Sequence, residues 1–325
     1  MNKNCFAIWY TPKISSGKRE PLKIDLHLNL WKLPLKKNIL EKIIKKKNDA
    51  HFLDIGLRIK ETSNVRDINI FIPFLVLKKE IEDLGSYFDR CNELVAVIFN
   101  EKYKVERKPE TKILTIKDDD DEVRYNIYIL DIKNDVRVKH KYHGTIISIK
   151  IKDTDKLGKF YYRIRINAEG VKGALSTIFT PQSYILENIN DNTELVDLRI
   201  NEIRNLDKSL LEEIYRKSEI RLEKTDLFIM REFKYDYISS HKNLYRSRLL
   251  EPDIWNLYVK DDCECQNIVA YQWQYSGVTR FNAFVKYRFV TSNALTIIRF
   301  ILIIILIGIV GGLIGNLVYN CFWGI

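Results

Sequence analysis

Three residues of one predicted strand carry side chains suited to hold a nucleotide. The segment 160–166 alternates in a way that predicts a β-strand with one core-facing side. Its other side presents Tyr161, Arg163 and Arg165. An aromatic ring beside two guanidinium groups can stack on a base and pair with its phosphates. The alternative is a polar sheet face on which the arginine side chains simply cover the tyrosine ring.

A basic segment precedes that strand. Arg137, Lys139 and Lys141 occur at alternating positions, and we assign them to the same ligand-binding set as the strand at 160–166. The ligand that fits this set is an anion, plausibly a nucleotide or an oligonucleotide. His140 and His143 have the spacing of a metal pair, but no cysteine or carboxylate ligand stands beside them. We therefore predict no metal at this segment.

Two further segments resemble parts of metal sites. The acidic run 118–122 lacks the glycine that cation-binding loops use to turn the chain, so we interpret it as a solvated hairpin tip. Cys263 and Cys265 could supply half of a zinc site, but no second cysteine pair completes it. The sequence also lacks the nucleophile elbow, the phosphate loop, the dinucleotide fingerprint and the zinc-protease motif. We predict no cofactor and no enzymatic activity, although catalytic groups can assemble from distant residues.

The elements that would position these residues are mostly strands. Residues 22–31 alternate leucine and isoleucine with polar residues, which places His27 on the polar side, where we expect it to be solvated. Helices are predicted at 38–47 and 207–219. Further strands are predicted at 5–11, 52–60, 68–77, 111–116, 123–130, 145–151, 227–238, 267–275 and 278–290. This pattern predicts an α+β fold with a β-rich soluble part, a domain over 1–180 and a subdomain over 181–290.

The C-terminal segment, 294–325, is the strongest signal in the chain. No charged residue follows Arg299, and residues 300–307 are uniformly apolar. A bilayer core about 30 Å thick needs roughly 20 apolar residues in a helix. We predict a single transmembrane helix at 294–320. A buried core helix is the alternative, but such helices usually keep a polar stripe.

Charge and cysteine content suggest where the soluble part lies. The chain carries a net charge of +10, and its five cysteines are scattered rather than paired, as is typical of a reducing compartment. The N-terminus shows no secretory signal. Basic residues flank the predicted span on its N-terminal side, so we expect a single-pass cell-membrane protein with a cytoplasmic N-terminal domain.

Small and polar residues recur at helical spacing within the span. Gly308, Gly312, Gly315, Asn316 and Tyr319 would share one side of the helix. Small residues let transmembrane helices approach closely, and an asparagine prefers a bundle interior or water to lipid. This stripe predicts a homo-oligomer, packed either as a helix–helix seam or as the lining of a pore.

A basic soluble part of about 290 residues followed by the glycine-rich span is similar to the membrane effectors of bacterial antiphage defence. Among these the layout most resembles the Hailong type. The resemblance is one of architecture and carries no residue-level motif. It implies a sensor–effector that forms or gates a membrane pore, controlled by a nucleic-acid oligomer that a partner nucleotidyltransferase makes.

Two other functions remain open from the sequence. The chain could be a tail-anchored scaffold or binding module whose span only localises it. It could also be a membrane-tethered hydrolase acting on an anionic substrate, which would require a cleft where a carboxylate, histidine or serine pair converges.

Overall fold

A computed structural model describes residues 5–14, 21–36, 49–99, 101–108, 110–152, 158–180, 191–216, 218–260, 262–290 and 294–323. The helix predicted at 38–47 lies outside these residues. The strands are β1 (Cys5–Pro12), β2 (Leu22–Pro34), β3 (Asp49–Ile59), β4 (Val65–Ile72), β5 (Ile81–Asp83), β6 (Lys104–Arg107), β7 (Ile113–Lys117), β8 (Val123–Tyr128), β9 (Val136–Lys141), β10 (Gly144–Lys150), β11 (Phe160–Ile166), β12 (Ser176–Phe179), β13 (Asp191–Ile200), β14 (Ile220–Glu232), β15 (Asp236–Ser240), β16 (Arg246–Leu249), β17 (Ile268–Val278) and β18 (Phe281–Val290). The helices are α1 (Gly85–Arg90), α2 (Glu93–Phe99), α3 (Ile132–Asp135), α4 (Gly170–Leu175), α5 (Lys208–Arg216), α6 (Pro252–Tyr258) and α7 (Ala294–Trp323), with 3-10 turns at Lys78–Glu80 and Ile203–Asn205.

The described strands form two sheets. The eight-stranded sheet has the order β15-β18-β13-β1-β4-β10-β9, and β12 pairs with β13 beside this path. The ten-stranded sheet has the order β16-β17-β14-β2-β3-β11-β8-β7-β6, and β5 pairs with β11. Strands hold 51% of the chain and helices 25%, so the predicted β-rich fold class with one C-terminal apolar helix is confirmed.

The two sheets pack face to face and share one apolar core. Ile8 and Ile70 enter it from the eight-stranded sheet, and Leu28 and Ile164 enter it from the ten-stranded sheet. Each sheet is also covered on its outer face. Helix α5 packs on the eight-stranded sheet through residues that include Leu210. Helices α1, α2 and α6 pack on the ten-stranded sheet. The body therefore has four layers, helix–sheet–sheet–helix.

Both sheets take strands from each side of residue 180, where the sequence predicts a domain boundary. In the eight-stranded sheet β1 pairs with β13, and in the ten-stranded sheet β2 pairs with β14, both in parallel. Since parallel neighbours require a crossover connection, these contacts join segments roughly 200 residues apart into one sheet. The two predicted segments therefore share their sheets.

The acidic segment forms the predicted hairpin tip. Strands β7 and β8 pair in an antiparallel manner on either side of it. Asp118 accepts hydrogen bonds from the backbone N–H groups of Asp120 and Glu122, at 3.1 and 2.9 Å, and so closes the turn. Its carboxylate also lies 2.5 Å from Arg124. These contacts give the acidic residues a role in turning the chain.

Helix α7 follows β18 and is the one helix of the described residues that is long and apolar enough to cross a membrane. Its candidate span is Ile301–Phe322, 22 residues, none of it buried against the body. At about 1.5 Å per residue this length matches a hydrocarbon core about 30 Å thick. The chain thus has the single C-terminal helix that membrane anchoring requires.

Candidate ligand-binding cleft

The structure divides the six predicted ligand-binding residues between two sheets. Tyr161, Arg163 and Arg165 share one face of β11 in the ten-stranded sheet, as the alternation predicted, but all three are buried. The basic trio of β9 lies at the edge of the eight-stranded sheet. The six residues therefore do not line one surface. They are separated because the chain crosses from one sheet to the other between β10 and β11.

The β9 trio is exposed and partly neutralised. Arg137 lies 2.8 Å from a carboxylate oxygen of Asp67, and Lys141 lies 3.4 Å from one of Glu213. Lys139 is exposed between them on the same side of the strand. Charged side chains on an edge strand discourage pairing with another sheet. That structural role accounts for the trio without a ligand.

Arg165 is fixed inside the protein. Its guanidinium donates to both carboxylate oxygens of Asp54, at 2.7 and 3.1 Å, and to the backbone carbonyl of Tyr258 at 3.0 Å. The rings of Phe52 and Tyr258 lie 4.3 and 4.8 Å from its central carbon. With its donors engaged and both faces covered, Arg165 anchors α6 to the sheet and is not placed to meet a ligand.

Arg163 is held mainly by neutral groups. Its Nε donates to the Tyr258 hydroxyl at 2.7 Å, and its Nη1 donates to the Tyr161 hydroxyl at 2.6 Å. The Asn29 amide oxygen accepts from Nη2 at 2.8 Å in the amide orientation that satisfies both groups. The nearest carboxylate, Asp54, is 3.9 Å away and is already engaged by Arg165. Two buried guanidinium groups thus share one carboxylate, which leaves positive charge beneath the surface.

That charge lies at the floor of a cleft on the outer face of the ten-stranded sheet. The cleft has a volume of about 240 Å³, and Arg163 lines it. Its floor is formed by β2, β3, β11, β14 and β17, and its walls by α2, β16 and α6. Ligand pockets are usually about 300–1,000 Å³, so this cleft is smaller than most and has room for only part of a larger ligand.

Cations outnumber carboxylates among the described residues that line the cleft. The carboxylates are Glu101 and Asp226. The cations are Arg58, Arg163, Lys224, Arg246 and Arg248. Because low-dielectric walls focus the field of charges in a cleft, such an excess attracts anions.

The cations at the rim differ in how far they are neutralised. Arg58 donates twice to Asp25, at 2.8 and 2.6 Å, and Lys224 lies 3.0 Å from Asp226. Arg246 instead donates to the neutral Gln272 side chain and is exposed to solvent. Arg246 is therefore the guanidinium group best placed to pair with an incoming anion, and the buried Arg163, whose nitrogens are already hydrogen-bonded, adds positive charge to the floor.

His27 is buried in the cleft floor, so the expectation that it is solvated was wrong. Its Nδ1 lies 3.2 Å from the Tyr161 hydroxyl, and its Nε2 lies 3.7 Å from Asp226. Burial lowers the pKa of His27 well below its ordinary value, and nearby Arg163 adds to this effect against the opposing pull of Asp226. The Tyr161 hydroxyl accepts a hydrogen bond from Arg163 and also lies within hydrogen-bond distance of His27.

Aromatic rings provide the stacking surface of the cleft. Phe99, at the end of α2, packs with its ring centroid 5.1 Å from Tyr161 and 5.7 Å from His27. Tyr103 and Tyr245 line the opening. The Tyr161 ring fits here because Gly56 lies beneath it. A Cβ atom at Gly56 would come 2.1 Å from the Tyr161 hydroxyl oxygen.

Sequence reasoning missed most of this cleft, although a signal was present. Strands β2, β14 and β17 are central in the sheet, yet each carries polar residues at alternate positions on one side. The polar positions are Asp25, His27 and Asn29 in β2, Lys224 and Asp226 in β14, and Gln272 and Gln274 in β17. The sequence showed these stripes separately. Only the strand order, β17-β14-β2, brings them together.

The other candidate metal ligands do not converge. Across the part of the chain that the structure describes, no group of three His, Cys, Asp or Glu side chains could hold a metal ion. Cys263 and Cys265 are buried, and burial raises the pKa of each thiol to about 12. His140 lies 3.3 Å from the Thr145 hydroxyl.

No protein-family model matches the chain, and no curated protein matches it significantly. Functional interpretation therefore depends on the geometry of the cleft and on helix α7.

The predicted stripe of α7 is open to its surroundings. A Cβ atom at Gly308, Gly312 or Gly315 would meet no described atom within 4 Å, and Asn316 and Tyr319 are exposed. Nothing in the described part of one chain covers this side of the helix. Its small residues are available to a second helix.

Proposed function

We propose that this protein is a membrane-anchored sensor–effector. Its body binds an anionic nucleotide or oligonucleotide in the cleft, and its α7 helices associate to form or gate a membrane pore. It acts by binding rather than by catalysis. The body is cytoplasmic and α7 crosses the cell membrane once. The architectural resemblance to Hailong-type effectors suggests a role in antiphage defence and a ligand made by a partner nucleotidyltransferase.

The observation that carries this proposal is the chemistry of the cleft. The exposed guanidinium group of Arg246 can pair with phosphate oxygens in the forked geometry that suits it, and the buried Arg163 adds positive charge beneath it. The ring of Phe99 offers a surface against which a base can stack. The side-chain amides of Gln272 and Gln274 also line the cleft, where both donate to Asp226 at 3.0 and 3.1 Å, and amide groups of this kind can hydrogen-bond to the edge of a base.

Two consecutive strands connect the cleft to the membrane helix. Strand β17 contributes Gln272 and Gln274 to the cleft and ends at Val278, and β18 follows from Phe281 in the other sheet. Strand β18 ends at Val290, and α7 begins at Ala294. A ligand that shifts β17 can therefore act on the helix through the chain itself, which passes from β17 directly to β18 and from β18 to α7. This connection supports coupling between the two parts of the proposal.

Oligomerisation through α7 rests on the unpartnered glycine stripe. In a bilayer there is no hydrophobic drive between helices, so close packing at small residues is a main source of association. Asn316 lies on the same side and gains from a protein or water environment in place of lipid. These features favour an assembly of several chains over a monomeric anchor.

The first prediction concerns charge reversal at the rim of the cleft. Replacing Arg246 by glutamate is expected to weaken binding of a fluorescein-labelled 12-nucleotide single-stranded DNA by about 10- to 100-fold, since a charge-assisted contact contributes about 1.5–3 kcal/mol. Arg246 is exposed, so the substitution should leave the fold intact. Fluorescence anisotropy on the full chain in detergent measures the affinity, and unlabelled ATP tests whether a mononucleotide competes.

Lys139→Glu provides the matched control, because Lys139 is an exposed cation of the other sheet. Its affinity should stay within about twofold of wild type, and the recovered nucleotide should be chemically intact. A wild-type chain that binds neither probe, or a larger loss at Lys139 than at Arg246, contradicts the assignment of the cleft. Hydrolysed nucleotide would favour the membrane-tethered hydrolase.

A further inference from the structure

We infer that the end of the body from which α7 departs rests on the headgroup layer of the membrane. The inference rests on the proposed membrane insertion of α7. It adds a second, peripheral contact made by the folded sheets themselves. The surface, here called the basal surface, comprises Phe179, Phe233, Lys234, Arg288 and Val290.

The connection between β18 and α7 is short, so the basal surface must lie close to the bilayer. Val290 ends β18 and Ala294 begins α7, so four residue steps of at most about 3.6 Å each separate them. The candidate span begins at Ile301, about 10 Å further along the helix at 1.5 Å per residue. Headgroup layers are about 5–7 Å deep on each side of the core. The end of β18 is therefore tethered near the membrane surface.

Strand register places the other basal residues beside Val290. Arg288 pairs with Asp236 of β15 on one side and with Thr193 of β13 on the other. Thr193 in turn pairs with Phe179 at the end of β12. Phe233 and Lys234 form the turn that leads into β15. They lie two or three residues beyond Asp236, at the end of the sheet where Val290 lies. The five residues thus lie at one end of the eight-stranded sheet.

Three of these residues expose large apolar side chains. Phe233 is 73% exposed, Val290 55% and Phe179 53%. Exposed apolar groups gathered at one end of a body mark a contact surface. The aromatic ring of Phe233 is the kind of group that settles at the boundary of a bilayer. Because the span starts from the same place, lipid is the partner already present there.

Two cations lie at the same end, each beside a carboxylate: Lys234 contacts Glu232, and Arg288 lies beside Asp191. The Arg288 side chain is 55% exposed, with the nearest carboxylate oxygen, that of Asp191, at 3.8 Å. The ends of β2 and β3 also meet at this level, since Pro34 pairs with Asp49 and both lie three residues beyond the pair Trp31–Met230. Each cation near an anionic surface contributes about 1 kcal/mol.

Quenching of a protein-bound dye by nitroxide-bearing lipid tests whether the basal surface contacts the membrane in the full chain. A fluorescent thiol-reactive dye is placed at Phe233→Cys or, as control, at Val123→Cys, in a background with Cys91→Ser and Cys321→Ser. The remaining cysteines are buried, and burial raises the pKa of Cys5 to about 11 and of Cys263 and Cys265 to about 12, so they resist labelling. Val123 is 53% exposed.

The control position lies at the opposite end of the body. Strand β8 runs parallel to β11, which is antiparallel to β3, so Val123 lies beyond Ile59 rather than near Asp49. The length of β3 between these two residues is about 33 Å at 3.3 Å per residue. A dye at Val123 should therefore stay clear of the bilayer whenever the basal surface touches it.

The chain is reconstituted in vesicles of two parts phosphatidylcholine to one part phosphatidylglycerol, with nitroxide-bearing lipid as quencher. The dye at 233 is expected to lose most of its fluorescence and the dye at 123 almost none, and Arg288→Glu should reduce the loss at 233. Equal, weak quenching at both positions in a chain that resists carbonate extraction would overturn the basal contact alone. Extraction of the chain by carbonate would overturn the membrane insertion as well.

Discussion

Replacing Asp54 by asparagine is expected to lower the free energy of unfolding by about 3–5 kcal/mol, because it removes the one carboxylate that two buried guanidinium groups share. Asp54 accepts hydrogen bonds from Arg165, from the Tyr258 hydroxyl at 2.8 Å and from the Trp31 indole at 2.8 Å. All of these partners are donors. An asparagine N–H₂ group would therefore face other donors as well as leaving Arg163 and Arg165 without a counter-charge.

Chemical unfolding of the full chain in detergent, followed by the β-sheet circular dichroism signal, measures this loss. Asp131→Asn is the control, because Asp131 is half-exposed, its ion pair with Lys112 spans 3.5 Å, and asparagine also caps a helix. The control should stay within about 1 kcal/mol of wild type. Adding Arg165→Met to Asp54→Asn should recover part of the loss, since removing both partners costs less than removing one. An Asp54→Asn chain as stable as wild type contradicts the description of this network.

Glu194→Gln is expected to have an effect of similar size, and one that depends on pH. Glu194 of the eight-stranded sheet accepts from Arg231 of the ten-stranded sheet at 3.1 Å, and Lys32 lies 3.5 Å away. All three side chains are buried between the sheets. Removing the single anion leaves two cations facing each other in the core, which costs about 3–5 kcal/mol.

The pH dependence follows from the pKa of each member. Burial alone would raise the pKa of Glu194, but Arg231 and Lys32 outweigh it and lower the pKa from 4.5 to about 2. The lowered pKa of Glu194 contributes about 3 kcal/mol to the free energy of unfolding. This contribution is fully present above pH 4.5 and is lost as the pH falls toward 2. Burial lowers the pKa of Lys32 from 10.5 to about 8, so this lysine makes the fold more stable as the pH rises from 8 to 10.5.

Urea unfolding at pH 7 and near pH 2.5 separates these contributions. The difference between wild type and Glu194→Gln should be large at pH 7 and should shrink near pH 2.5, where glutamate itself begins to take up a proton. Glu223→Gln serves as control, because Glu223 pairs with Lys60 at the surface and should change stability by less than about 1 kcal/mol. A difference that is the same at both pH values would show that Glu194 is not the charged partner of Arg231.

The sequence predicted individual strands and helices well, but it did not predict which elements lie beside one another in the fold. The alternation in 160–166 gave the strand and its two faces correctly, because side-chain period is a property of the strand alone. Whether the polar face meets water depends on what covers it. Tyr258, which lies 95 residues beyond Arg163 in the chain, closes that face by accepting a hydrogen bond from the guanidinium. No sequence pattern near residue 160 predicts that contact.

The same limit explains the division of the predicted binding set. Arg137 and Arg163 are close in sequence and were assigned to one surface, yet β9 and β11 belong to different sheets. Conversely, Asp226 and His27 are far apart in sequence and meet in the cleft because β2 and β14 pair in parallel. Helix α7 was the easiest element to predict, since its length and apolar composition need no partner to be recognised.

Dye release from vesicles tests the central proposal, that a ligand in the cleft controls pores built from α7. Full-length protein is reconstituted in vesicles loaded with a self-quenching dye, with and without the 12-nucleotide DNA or ATP. Release is expected to change when a ligand is added. Arg246→Glu should make it insensitive to ligand, and Gly312→Leu should reduce it. Val310→Leu, about 160° around the helix from Gly312 at 100° per residue, should leave it unchanged. Vesicles that stay intact with wild-type protein, with and without each ligand, would contradict the proposal.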